Sequence, residues 1–293
     1  MDWWVALAGL GVGFVMGLTG MGGGALMTPI LVLGFGVPPL AAVSSDLMAS
    51  LVMKPVGAGV HLRRGTVNLR LVGWLVAGSV PAAFCGVLLL RAFGDGLQNN
   101  LELILGVALV LAAGSIVART AVQARRGLGA ILDGAQHAIA VRPIPTLAIG
   151  CIGGLIVGIT SVGSGSLMIV MLLVAYPTLS ASQLVGTDLA QAIPLVGAAA
   201  LGHLLFGDFQ LALTASLLVG GIPGTYFGAR LSARAPDQVI RPVLVAVLLL
   251  SGLKLIGVSD VAMLVVAGVS VVALAAVLLP ALRSRPTEVP RER

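Results

Sequence analysis

An all-α integral membrane protein is the fold this sequence predicts: two inverted repeats of about five helical segments each, the first pair re-entrant or broken, plus one extra C-terminal transmembrane helix. Three observations predict it: an apolar composition, an internal duplication, and unequal charge in equivalent loops. Of 293 residues 58% are apolar and 10% charged, with mean hydropathy +1.09, whereas a soluble domain carries about a quarter charged residues. In lipid every backbone group must be satisfied within helices or a closed barrel. The long Leu/Val/Ala runs are not the short alternating segments of an outer-membrane barrel, so helices are expected.

The duplication is read from glycines. Gly9, Gly13 and Gly17 answer to Gly150, Gly154 and Gly158, and the run from Gly17 to Met27 reads against Gly158 to Met168, an offset of 141 residues. Further on the register slips by one and holds: Asp46/Asp188, His61/His203, Gly65/Gly207, Gly78/Gly220, Pro81/Pro223 and Gly86/Gly228 all differ by 142. Two copies of one long unit are too few for a solenoid or a propeller. Membrane transporters are often built this way, with the substrate site where the copies meet near the bilayer midplane.

Apolar runs between polar breaks give the segments in order: 4–20, 22–36, 40–62, 68–91 and 99–118, then a hydrophilic linker at 119–142, then 145–160, 162–176, 180–205, 209–230 and 237–257, with one more run at 260–282. The expected division is therefore a first transmembrane repeat at 1–118, a cytoplasmic linker at 119–142, a second repeat at 143–257, and an extra helix with a basic tail at 258–293. Asp2-Trp3-Trp4 lacks the basic start of a secretory signal, so the first segment is expected to stay, with its tryptophans at headgroup level. The segments 22–36 and 162–176 are entered through glycines and closed near proline, at Pro38-Pro39 and at Pro177. At about 1.5 Å per residue both are short for a full span. Short, glycine-interrupted segments at matching positions point to a transporter's binding site.

Five segments per copy, an odd number, would send the second copy into the membrane upside down. Loop charge agrees. Arg63, Arg64 and Arg70 follow the third segment, while the equivalent loop of copy two holds Asp208; conversely Arg230, Arg234 and Arg241 flank a loop whose counterpart has Arg91, Asp95 and Glu102. Placing the arginine-rich loops, the linker and the tail together in the cytoplasm satisfies the positive-inside rule, with the amino terminus external and the carboxyl terminus cytoplasmic. The net charge of +6 is read the same way, as loop arginines fixing topology and not as a nucleic-acid surface. Cys85 and Cys151 lie within apolar segments and are expected as small buried residues, without a disulfide or CxxC framework.

The chemistry expected of the glycine elements is anion binding. Gly20, Gly22, Gly23 and Gly24 in copy one, and Gly163 and Gly165 in copy two, let backbone approach a ligand and open helices whose free N–H groups carry the positive end of the dipole. Thr19, Thr160, Ser161 and Ser164 are candidate hydroxyl donors beside them. Gly9, Gly13, Gly17 and their partners instead make small-xxx-small faces suited to close helix packing. Lys54, within the third segment beside Pro55, is a costly intramembrane cation that a substrate anion could meet, or that Asp46 or Asp188 could pair with. Asp46 and Asp188 could cap helices, face the site or carry a coupling proton. His61 and His203 near the ends of the same segments are read as snorkelling toward the interface, with a proton relay as the other reading. Gln191 beside Pro194 is a polar side chain at a kink. The chain has no HExxH, GxSxG or Walker signature, so neither an enzyme, nor ATP-driven transport by this chain alone, nor a metal or cofactor is expected.

These stretches carry a family resemblance. The runs Leu18-Thr19-Gly20-Met21-Gly22-Gly23-Gly24, His61-Leu62-Arg63-Arg64-Gly65-Thr66-Val67 and Gly78-Ser79-Val80-Pro81 resemble the TauE/SafE sulfite exporter family, also called the toluene-sulfonate uptake permease family. So do Val185-Gly186-Thr187-Asp188-Leu189, Gly202-His203-Leu204 and Gly221-Ile222-Pro223-Gly224, and the likeness covers residues 5–257. The resemblance implies a multi-pass permease of the bacterial inner membrane that moves a small anion such as sulfite, an organosulfonate or a related carboxylate. Partners would be that anion, the bilayer and protons as coupling ion. Two departures stand out: Ser44-Ser45-Asp46 occupies a place where many members look like Gly-Thr-Ser, and the run at 260–282 extends past the repeat. A passive anion channel, or less readily a non-transport membrane subunit, is the alternative class.

Overall fold

The computed structural model describes residues 2–19, 24–63, 67–93, 96, 100–125, 141–179, 181–231, 237–259, 261–266 and 268. Among them the regular structure is helical: α1 (Trp3–Thr19), α2 (Gly24–Pro29), α3 (Pro39–Arg63), α4 (Leu69–Ala92), α5 (Leu101–Arg125), α6 (Pro143–Thr160), α7 (Leu167–Ala175), α8 (Ala181–Phe206), α9 (Leu211–Leu231) and α10 (Asp237–Ile256). Five of these are long and apolar enough to cross a membrane: α4, α5 over Leu101–Ala118, α6, α8 over Gln183–Phe206, and α9. Large apolar side chains such as Leu7, Val174 and Phe227 are exposed, as a lipid-facing surface requires. The protein is a multi-pass membrane protein.

Local chemistry sets the boundaries. Asn68 caps α4, its side chain accepting from the Leu71 N–H at 3.1 Å, and Pro143 opens α6 where a missing N–H costs nothing. Pro29 cannot donate within α2, and the chain continues as a π turn over Ile30–Gly34 before Gly36, at φ +63°, turns it out. The 9 residues of α7 span about 13 Å and the 11 of Gly24–Gly34 about 16 Å, each near half a hydrocarbon core. Helix α5 runs on to Arg125, into the stretch expected as linker, because Ala, Arg and Gln favour helix whether or not lipid surrounds them.

Packing exchanges the two copies. The first helix of each packs on the fourth of the other, α1 on α9 and α6 on α4, while third meets third (α3 on α8) and fifth meets fifth (α5 on α10). The glycine faces make the first two contacts. A Cβ on Gly9 would sit 2.6 Å from the Leu217 carbonyl oxygen, Gly13 faces Gly221, and Gly17 faces Thr225 and Gly228. Gly150, Gly154 and Gly158 meet Leu75, Ser79 and Ala83 in the same way, backbone against backbone. Direction also follows. On α3 and α8, Ser44 lies by His203 and Leu51 by Gly197, so these equivalent helices are antiparallel. Likewise Gly106 faces Ile256 while Gly252 faces Val110, making α5 and α10 antiparallel.

Cys85 and Cys151 are exposed, correcting the expectation that they are buried. The glycines fill the α4–α6 contact, and Cys151 Sγ lies at its edge, 3.3 Å from where a Cβ on Gly78 would sit.

Candidate functional site

The site is built on α3. Asp46, Ser50 and Lys54 follow one another at intervals of four, which places all three on one helix face. All are interior: Asp46 is 0% exposed and Lys54 2%. Opposite them lies the loop joining α6 to α7. Helix α6 ends where Ser161 takes the left-handed conformation, φ 59°, an uncommon one for a side-chain-bearing residue. Gly163 at φ +118° and Gly165 at φ +97° then carry the chain round to Leu167. Only glycine adopts such backbone readily.

Two oppositely charged groups of α3 hold this loop. The Ser161 hydroxyl donates to Asp46 Oδ2 at 2.6 Å, and Lys54 Nζ donates to Ser164 Oγ at 2.5 Å. Thr28 of α2 also donates to Asp46 Oδ2, at 3.1 Å, and Ser50 to its other oxygen at 3.4 Å. Gly24 is where the glycine elements of the two copies touch: a Cβ there would lie 2.7 Å from Ser161 Oγ and 2.9 Å from Asp46 Oδ2. On the other side α8 presents Asp188, 1% exposed, whose Oδ1 accepts from Gln191 Nε2 at 3.1 Å. Ser79 of α4 donates to Gln191 Oε1 at 3.4 Å, which fixes that amide's orientation. Lys54 interacts electrostatically with both carboxylates.

Several expectations change. Asp46 and Asp188 are not caps, since each lies two turns inside its helix. A cap must reach the first turn's N–H groups, and these carboxylates are too far along. His203 does not snorkel: it is 0% exposed, with Nε2 2.8 Å from the Gly158 carbonyl and Nδ1 2.9 Å from Ser44 Oγ. It ties α8 to α6 and α3, because the closely packed glycine of α6 leaves its carbonyl within reach. The Thr160 hydroxyl is engaged at its own helix end, donating to Ile156 O at 2.6 Å and accepting from Val162 N–H at 3.1 Å. Thr19 donates to Val15 O at 2.8 Å. Gly20, Gly22, Gly23 and the His61 side chain lie outside the described residues.

Beside the loop is a small cavity of about 20 Å³, lined by Thr19, Ser164, Ser166 and apolar neighbours including Met16 and Leu248. It is large enough for about one water. Among the described residues the buried Ser166 hydroxyl has no hydrogen-bond partner. Thr28, Ser50, Ser79 and Ser166 were not singled out from sequence. Ser50 had a readable signal, midway between Asp46 and Lys54; Thr28 and Ser79 had none, since only folding brings them to the carboxylate and the amide. Among the described residues no three His, Cys, Asp or Glu side chains gather as a metal site would require.

A multi-pass helical membrane protein with two short helices and a buried charge cluster has features of a transporter. The sulfite exporter TauE/SafE family profile matches residues 5–255, and the chain belongs to that family of membrane transporters. It is 39% identical over 262 residues to the probable membrane transporter protein YjnA of Bacillus subtilis (strain 168), covering 86% of this chain and 98% of that one. To the probable membrane transporter protein YdhB of the same organism it is 25% identical over 248 residues, 84% and 96% of the two chains. A third, YunE, also described as a probable membrane transporter protein, shares 35% identity over 102 residues, about a third of each chain. No solved structure matches the chain.

Proposed function

We propose that the chain is a secondary carrier, not an enzyme, that moves a small anion such as sulfite or an organosulfonate across the bacterial inner membrane by alternating access. The observation that carries this reading is the Lys54 ammonium, buried and bonded to Ser164 of the glycine-rich loop, next to a cavity where the Ser166 hydroxyl lacks a partner. The cavity, with room for about one water in this state, would have to widen before an oxyanion could accept from the Ser164 and Ser166 hydroxyls beside Lys54. The family description, sulfite exporter, supports the substrate class.

The two repeats, 1–118 and 143–257, are read as inverted halves that rock about this anion. Antiparallel packing of α3 on α8 and of α5 on α10 supports the inversion: a two-fold axis along the membrane normal would leave equivalent helices parallel. Loop charge supports an external amino terminus and a cytoplasmic tail. Protons are the proposed coupling ion, through Asp46 or Asp188.

The test is a thermal-shift screen of purified protein against sulfite, sulfate, thiosulfate, sulfonates and small carboxylates, since a ligand of the native state stabilises it by mass action. The expected result is an anion whose stabilisation is lost in Ser164→Ala and which shows saturable counterflow in proteoliposomes. No stabilising anion, or single-channel currents in place of counterflow, would overturn the carrier.

A further inference from the structure

The three buried charges of the site are not equivalent, and their partners separate them. Asp188 accepts from the Gln191 amide nitrogen, which only donates, and interacts electrostatically with Lys54. These two neighbours suit an ionised carboxylate. Asp46 is bonded to hydroxyls, from Thr28, Ser50 and Ser161. A hydroxyl donates to a carboxylate and, after rotating, accepts from a carboxylic acid, so this setting satisfies Asp46 in either protonation state.

Charge counting points the same way. One ammonium, Lys54, stands among two carboxylates, so with both ionised the water-poor interior holds a surplus negative charge. An anion arriving at Lys54 adds a second, and like charges in low dielectric disfavour each other. Protonation of Asp46 removes the conflict. It also replaces a charge-assisted bond to Ser161, at 2.6 Å, with a neutral one, weakening a contact between the two halves.

Resting on the carrier reading above, we infer that Asp46 is the proton-carrying residue: it takes up one proton with each monoanion bound and gives it up with that anion, so that the two cross together. An O–H bond forms on Asp46 on one side of the membrane and breaks on the other. The groups around Asp46 are accounted for on each packed element. Thr28 comes from α2, Ser161 from the α6–α7 loop, Ser50 and Lys54 from α3; α8 brings Asp188 to Lys54 and His203 to Ser44. Tyr226 and Arg230 of α9 and Glu102 of α5 are exposed.

The test has two arms. Infrared titration of the purified protein follows the carbonyl stretch of a protonated carboxyl group and needs no substrate. A band that grows as pH falls, persists in Asp188→Asn and is absent from Asp46→Asn is the expected result; loss in Asp188→Asn alone, or no titrating band, overturns the assignment. In proteoliposomes with radiolabelled sulfite, Asp46→Asn is expected to lose accumulation driven by a pH gradient. Unchanged gradient-driven accumulation overturns it. Ser161→Ala, which leaves the carboxyl in place, should retain the band at a shifted frequency, and this guards against misfolding of the Asn variant. Absence of sulfite counterflow in the wild type would count against sulfite as cargo, with the titration still deciding Asp46.

Discussion

Helices α3 and α8 are the same element twice, yet only one carries a cation. Asp46 and Asp188 occupy equivalent places, but Lys54 answers to Val196, Ser50 to Ala192, and Gln191 to Ala49. The scaffold is therefore symmetric where it packs and asymmetric where it is charged. Duplication supplies two half-length helices, two glycine faces and two carboxylates; divergence supplies one ammonium, one amide and a set of hydroxyls. What the comparison teaches is that the repeat explains the architecture, while the chemistry sits at positions where the repeats disagree.

The largest way to break that comparison is Lys54→Met, which makes α3 resemble α8. It leaves two buried carboxylates without their cation, and removing one partner of a buried pair costs about 3–5 kcal/mol. Thermal unfolding in detergent should show that loss. Adding Asp188→Asn to Lys54→Met should recover part of it, a coupling that a double-mutant cycle measures. Additive losses would mean that Lys54 and Asp188 do not act as a pair.

Next in size are the packing glycines, where the halves are alike. Gly13→Val and Gly154→Val each drive a side chain into facing backbone, an overpacking expected to cost about 1–3 kcal/mol in each copy. Gly11→Val in α1, with nothing within 4 Å of its Cβ, is the matched control and should unfold close to the wild-type temperature. If Gly13→Val and Gly11→Val proved equal, the close approach of α1 to α9 would be wrong.

An effect of similar size sharpens the asymmetry within α8. Gln191→Leu removes the amide N–H from Asp188 while keeping much of the volume, and hydrogen bonds to charged groups are worth about 1.5–3 kcal/mol. The loss should shrink in the Asp188→Asn background. An undiminished loss there would show that Gln191 acts through packing alone.

How much of this was readable in the chain varies by kind. The ten described helices, their order and the two short elements followed from hydropathy and glycine spacing, because lipid leaves few alternatives; the run expected at 260–282 lies mostly outside the described residues. Lys54, Asp46 and Asp188 were visible as charges in apolar runs. Their roles were not: the segment 40–62 already set Asp46 inside its helix, as α3 does, but which hydroxyls and which cation would face it depends on elements distant in sequence. His203 was misread for a similar reason. Its burial comes with a hydrogen bond to the carbonyl of Gly158 on α6, a neighbour 45 residues away in sequence. Ser166 gave no signal because a serine between glycine and leucine looks like loop filler.

Ser166 therefore supports the most discriminating of the small predictions. Its hydroxyl is buried without a partner, so Ser166→Ala removes an unmet polar group and should leave stability unchanged or slightly raised, within about 1 kcal/mol. A purely structural serine would end the story there. If the cavity it shares with Thr19 and Ser164 receives an oxyanion, the same variant should bind that anion more weakly, since a donor to a charged ligand is lost while nothing in the empty state changes. Measured together, unfolding temperature without ligand and the shift on adding the best anion of the screen separate the two cases. An unaltered ligand-induced shift would remove Ser166 from the site and leave Lys54 and Ser164 as its described donors.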